Sequence, residues 1–168
     1  WARRCVSEKG LLKTYGQHTT GWDDEAHMTS IYLIRHAEAE GNLFRRAQGH
    51  WNGKVTDRGR RQIDALAERF RGVKIDAVYS SDLDRTVATA GALLRGRELE
   101  LVTTPRLREI NMGVWEGEPW GNITYRWPEQ MYLFNNEPER WFVPGCESFG
   151  EVQERMTKVI LELAAKHE

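Results

Sequence analysis

Short unbroken apolar runs alternate along this chain with stretches in which apolar residues return every three or four positions. Ile31-Tyr32-Leu33-Ile34 is a run of the first kind, the pattern of a strand covered on both faces. Ile63, Leu66, Ala67 and Phe70 follow at helical spacing, with Thr56 or Asp57 as N-cap and Gly72 as the stop. Ile75 to Tyr79 predicts a second strand. Asp82 to Leu94 predicts a second helix, with Val87, Ala88, Ala90, Gly91 and Leu94 on its apolar side. Leu99 to Val102 predicts a third strand, ended by Pro105. Ser148-Phe149-Gly150-Glu151 is a capping box that opens a last helix, whose Val152, Met156, Val159, Ile160 and Leu163 share one face. Strands separated by helices at this spacing build βαβ units around a largely parallel sheet, which gathers ligand chemistry at the carboxyl ends of the strands.

Two segments depart from the rhythm. From Val114 to Pro144 the chain concentrates Trp115, Trp120, Tyr125, Trp127, Tyr132, Phe134, Trp141 and Phe142 among Gly, Pro and Asn, an excursion above the sheet. Its aromatics either pack a small core of their own or wall a pocket for a ring-bearing ligand. Residues 1–27 carry no period and precede Met28, a natural start, so they read as a tail or added extension outside a domain over 28–168.

Composition narrows the function classes. The 168 residues carry 24 Lys and Arg against 25 Asp and Glu. Bulk charge therefore favours neither nucleic acid nor a membrane surface, and any anion must be met by a local pocket. Cys5 and Cys146 stand far apart with no C-x-x-C pair, so no disulfide framework or zinc site can be read from them. A reducing, cytoplasmic setting is expected, since there is no signal-like start and no apolar run long enough to span a bilayer.

Three short stretches, each after a predicted strand, can carry chemistry. Arg35-His36-Ala37-Glu38 offers a neutral imidazole beside a guanidinium, a sensible nucleophile for phosphorus. An ordinary structural Arg-His pair is the alternative. Arg85, in Ser80-Ser81-Asp82-Leu83-Asp84-Arg85-Thr86, falls in the first turn of a helix, where a cation opposes the dipole unless an anion is held there. It either faces such an anion or pairs locally with Asp82 or Asp84. Glu109, between Leu107 and Ile110, is a proton donor if apolar neighbours raise its pKa, and a plain loop carboxylate otherwise.

Together these motifs resemble the histidine phosphatase superfamily, also called the phosphoglycerate mutase-like family. Its R-H-G-E signature is similar to Arg35-His36-Ala37-Glu38, with Ala37 for the usual glycine, and Asn42 stands at the family's asparagine. Val55 to Gln62 resembles the L-T-x-x-G-x-x-Q helix start, Ser80 to Thr86 S-S-D-x-x-R-T, Leu107 to Gly117 L-x-E-x-x-x-G-x-x-E-G, and Pro144 to Ser148 the P-G-G-E-S turn. The resemblance implies an α/β fold, a three-layer sandwich with a mostly parallel sheet covered by helices. It implies His36 as the nucleophile that becomes phosphohistidine, Glu109 as general acid and then base, and Arg35, Asn42 and Arg85 as phosphate ligands. It implies no metal and no cofactor, a small phosphorylated metabolite as partner, and a homodimer as one assembly to test.

The family's pocket also includes a second histidine, in an S-H-G-like motif on a strand after the Ser148 helix. This chain reaches His167-Glu168 without that motif, so the domain is expected to be incomplete at its C-terminus. His18, His27 and His50 fall in the tail or a polar loop and read as surface residues. Around the acid, Glu109-Ile110-Asn111-Met112-Gly113 resembles the phosphatase branch more than the Glu-Arg-His-Tyr-Gly-like stretch of the mutases. Hydrolysis of a small phosphate monoester is the leading expectation. Mutase-type phosphoryl transfer and a non-catalytic regulatory member are the alternatives. Arg45 and Arg46 either meet a second anionic group of the substrate or are simply solvated.

Overall fold

Thr56 sets where the first long helix begins. Its hydroxyl oxygen accepts the Gly59 amide at 3.0 Å, satisfying one of the free N–H groups at a helix start. In the computed structural model, which describes residues 29–167, α2 spans Asp57–Phe70 behind this cap. A β-carbon at Gly59 would meet the Glu38 carbonyl oxygen at 2.1 Å, so only glycine lets the helix start lie against the 36–38 segment. Ahead of it, α1 is a single turn, Glu40–Leu43, with the Asn42 side chain accepting the Ala39 amide at 3.0 Å. The tail 1–27, with Cys5, His18 and His27, lies outside the described residues.

The βαβ unit is β1 (Val78–Ser80), α3 (Asp84–Leu94) and β2 (Leu101–Thr103). β1 and β2 pair in parallel, Val78 with Leu101 and Ser80 with Thr103. α3 packs on β1 and against α2. Phe70, Val78, Ala90 and Leu93 form the core between them, joined by partly buried Ile34, Leu66 and Leu99.

The aromatic excursion folds as α4 (Trp120–Arg126) and α5 (Pro128–Asn136) with short 3-10 turns on either side. Pro128 starts α5 at the position where its missing N–H costs nothing. Trp115 is fully buried and stacks edge-on against Phe134 at 5.7 Å, with Trp141 at 5.3 Å on another side. Phe149, the first residue of α6 (Phe149–Ala165), closes the cluster against Phe134 and Trp141. Trp115, Trp120, Phe134 and Trp141 therefore make a core of their own, while Tyr125, Trp127, Tyr132 and Phe142 are exposed. The predicted Ser148 capping box is present, with the Ser148 hydroxyl accepting the Glu151 amide at 3.2 Å and the Glu151 carboxylate accepting the Ser148 amide at 2.7 Å.

The predicted first strand is corrected. Ile31 to Ile34 belongs to no strand, and Ile31, Tyr32 and Leu33 are exposed. A strand exists only as part of a ladder, and among the described residues the run has no strand partner; β1 pairs with β2 alone. Tyr32 instead packs edge-on against Phe70 at 5.4 Å. The other two strands are shorter than their apolar runs: they start at Val78 rather than Ile75 and at Leu101 rather than Leu99, and each ends one residue later. α3 starts at Asp84 rather than Asp82, because Asp82 is engaged by Arg108 and the Asp84 amide is capped by Asn52 at 2.8 Å.

Candidate active site

Among the described residues the segment carrying His36 has no ladder, yet its backbone is held on both sides. The Ala37 amide donates to Thr89 Oγ1 at 2.9 Å, and the Thr89 hydroxyl donates to the Arg85 carbonyl at 2.7 Å, which ties the segment to α3. On the other side the Glu38 amide donates to Gln62 Oε1 at 2.8 Å, and Thr56 donates its hydroxyl to Glu38 Oε1 at 2.8 Å, which ties it to α2. Two amides that a strand would satisfy, those of Ala37 and Glu38, are met by helix side chains instead.

His36 is partly buried, and its Nδ1 lies 2.7 Å from the Ala37 carbonyl oxygen. A carbonyl only accepts, so Nδ1 carries the hydrogen and a neutral ring keeps its lone pair on Nε2. Burial pulls the imidazole pKa below 6.5; the Ala37 carbonyl and Glu109 oppose this, while Arg85 and Arg35 reinforce it. The ring is thus biased toward the neutral, nucleophilic form.

Arg85 has 1% of its surface exposed. Its Nη1 donates to the Trp51 carbonyl at 2.8 Å and its Nη2 to the Gly49 carbonyl at 2.7 Å, while Nε is buried with no partner among the described residues. Burial works against its charge, and Glu109 and Glu116 offset that. The local pairing with Asp82 or Asp84 does not form, since Asp82 is gripped by both Arg108 nitrogens, one at 2.6 Å. The α3 start therefore holds a buried guanidinium anchored by two carbonyls, with a donor to spare.

Glu109 follows β2 through the 3-10 turn Pro105–Leu107 and brings Oε2 within 3.9 Å of Arg85 Nη2. Its side chain is 56% exposed, so the apolar enclosure expected from Leu107 and Ile110 is absent. Ile110 is instead buried in the core cluster with Trp115.

His36, Arg85 and Glu109 thus share one edge of the fold, and Arg35 acts on His36 through its charge while itself exposed. Asn42 is exposed, and no bond joins it to these residues; its side-chain oxygen is spent on capping α1.

Other residues at this edge escaped the sequence reading. His50, read from the sequence as a surface residue in a polar loop, is partly buried: its Nε2 lies 3.0 Å from the Glu109 carbonyl, and its amide donates to Glu116 Oε1 at 2.6 Å. Glu116 also accepts the Met112 amide at 3.1 Å and so joins the 49–50 loop to the loop after Glu109. Its place in the Leu107 to Gly117 motif was the available signal. Among the described residues no group of three or more His, Cys, Asp or Glu side chains is placed to hold a metal. No described helix is long and apolar enough to cross a membrane.

Comparison with known proteins matches the family model of the histidine phosphatase superfamily (branch 1) over residues 31–168. A Yersinia pestis protein named "Probable phosphoglycerate mutase GpmB" is 40% identical over 144 residues, covering 82% of this chain and 66% of that protein. The chain thus spans just under two thirds of the length of such curated relatives. Among solved structures, YhfR of Bacillus stearothermophilus superposes with a TM-score of 0.76 at 31% identity, over 80% of this chain and 66% of that one. A mycobacterial glucosyl-3-phosphoglycerate phosphatase, solved with VO3, gives 0.71 at 29% identity, over 77% and 64%. An alpha-ribazole phosphatase from Shigella flexneri gives 0.71 at 28% identity, over 79% and 66%.

Proposed function

The chain belongs to the histidine phosphatase superfamily, with the phosphoglycerate mutase-like α/β sandwich as its fold, and from there we propose that it hydrolyses small phosphate monoesters through a phosphohistidine on His36. One observation carries this reading. The imidazole of His36 has its hydrogen committed to the Ala37 carbonyl, leaving Nε2 free, and buried Arg85 with an unpartnered Nε sits at the same edge.

In the first step His36 Nε2 attacks phosphorus and the bond to the ester oxygen breaks. Glu109 in its acid form donates a proton to the leaving oxygen, which departs as an alcohol. The phosphoryl group carries about two negative charges, and the guanidiniums of Arg85 and Arg35 offset them as charge spreads over its oxygens. Asn42, by way of its amide, is the further phosphate donor in this reading. In the second step the Glu109 carboxylate takes a proton from water, the water oxygen attacks phosphorus, and the phosphorus–nitrogen bond breaks. Inorganic phosphate leaves and His36 returns to its neutral state. Throughout, the Ala37 carbonyl keeps the Nδ1 hydrogen in place, which fixes the ring's orientation.

A second reading, phosphoryl transfer between hydroxyls of a phosphoglycerate, is favoured by the 40% identity to a protein named as a phosphoglycerate mutase. The products separate the two: inorganic phosphate for hydrolysis, an isomeric phosphoglycerate for transfer. The deciding experiment for the acid is Glu109→Gln in the full-length protein. It should lower kcat/KM on alkyl phosphates by about 10²-fold or more, and far less on p-nitrophenyl phosphate, whose leaving group barely needs a proton. Equal losses on both would remove Glu109 from the acid role.

A further inference from the structure

We propose that Arg155, paired with Glu147, is a positioning residue that aims the Glu109 carboxylate at the leaving group. This rests on the acid role of Glu109 argued above. Arg155 lies in α6, far along the chain from the acid, and two of its three guanidinium nitrogens are engaged with one short stretch. Nη1 donates to the carbonyls of Arg106 and Arg108, both at 2.8 Å, and Nη2 reaches the Glu109 carbonyl at 3.4 Å. Nε and Nη2 also grip the two carboxylate oxygens of Glu147 at 3.0 and 2.9 Å.

Glu147 continues the clamp. Its Oε2 accepts the Asn111 amide at 2.8 Å, and its own amide donates to the Asn111 carbonyl at 2.9 Å. Backbone groups on both sides of Glu109, from residue 106 to residue 111, are therefore held by one ion pair. Among the described residues the Glu109 side chain has no such fixture: it is 56% exposed and its charged partner is Arg85 at 3.9 Å. Its placement is set almost wholly by its backbone.

That backbone needs an outside support. β2 ends at Thr103, so no ladder continues to Glu109, and unpaired carbonyls next to a buried edge must find donors. A planar five-donor fork can serve several carbonyls and a carboxylate together, which a lysine ammonium cannot. Arg155 and Glu147 have 19% and 25% of their side chains exposed, which separates them from solvated surface pairs of small effect. The Glu147 carboxyl is pushed up by burial, yet hydrogen bonds from Arg155 and Asn111 outweigh this and hold it below 4.5, so the pair stays charged at neutral pH. Displacing a proton donor by about 1 Å costs on the order of 10²-fold in rate. Arg155 touches neither substrate nor reacting atoms, so its effect must travel through Glu109.

The test uses the full-length protein with Arg155→Lys, Arg155→Met and Glu147→Gln, each also combined with Glu109→Gln. kcat/KM is measured on an alkyl phosphate and on p-nitrophenyl phosphate, since it reports steps up to departure of the leaving group. The expected result is a loss of about 10–10²-fold on the alkyl ester with p-nitrophenyl phosphate nearly unchanged, and no further loss in the Glu109→Gln background. Equal losses on both substrates, or losses that multiply with Glu109→Gln, would make Arg155 merely structural and overturn the proposal. If Glu109→Gln discriminates between leaving groups and the Arg155 and Glu147 variants do not, the positioning proposal fails alone. If Glu109→Gln itself shows no discrimination, the acid reading fails and takes this proposal with it. Should Arg155→Met not fold, Arg155→Lys and Glu147→Gln carry the comparison, and unfolding of all three would likewise assign the clamp to stability and overturn it.

Discussion

Replacing Arg85 tests whether a single side chain supports both the fold and the site. Arg85→Met keeps much of the aliphatic stem and removes every donor. The carbonyls of Gly49 and Trp51 would then lose the N–H groups that meet them at 2.7 and 2.8 Å inside the structure. Each stranded buried carbonyl costs about 1–3 kcal/mol. Relief from burying a charge returns part of this, leaving a net loss of about 2–4 kcal/mol, which for a domain near this size lowers Tm by about 5–15 °C. Activity should fall further than stability, because the proposed mechanism loses a phosphate donor with the anchor: a loss on the order of 10²–10³ in kcat/KM. Arg85→Lys separates the contributions. An ammonium restores charge, yet its single nitrogen cannot bridge both carbonyls and also present a side donor in the position of Nε. Scanning calorimetry and p-nitrophenyl phosphate turnover on the two variants decide the matter. Arg85→Lys with full activity and unchanged Tm would refute the reasoning, since charge alone would then suffice and the carbonyl anchoring would carry no weight.

The remaining predictions follow from the same geometry. His36 should titrate below 6.5 by NMR, because burial disfavours its charged form; kcat/KM should therefore stay level as pH falls through that value and drop only below it. For stability the sign is the same: the unfolded chain binds the proton first, so His36 contributes stability that is complete above 6.5 and declines on acidification toward its folded pKa. A folded pKa above 6.5 would contradict both statements. Trp115→Ala should cost about 3–5 kcal/mol, a large share of the roughly 5–15 kcal/mol of a typical domain, since Trp115 is fully buried at the centre of the aromatic cluster; a urea titration showing less than about 1 kcal/mol would mean the cluster repacks around the void.

Much of this protein could be read from local chemistry. Thr56 and Ser148 cap their helices because a hydroxyl before a helical apolar stripe satisfies the free amides whatever the surroundings. The parallel βαβ unit was legible in the alternation of apolar runs with helical spacing, and the family in the motifs around His36, Arg85 and Glu109. Tertiary structure decided what depends on a partner distant in sequence. Ile31 to Ile34 has the composition of a strand but lacks a ladder among the described residues, because strand formation needs a second backbone alongside and apolar composition cannot supply one. Glu109 sits among apolar residues in sequence and in the open in space, because its loop has no period to bury it. The guanidinium of Arg85 turned to the carbonyls of residues 49 and 51 rather than to its neighbours Asp82 and Asp84, and Arg155 found the backbone around Glu109 from α6. A long side chain takes its partners from whatever the folded backbone brings within hydrogen-bond reach, and that is set by packing between elements rather than by nearness along the chain.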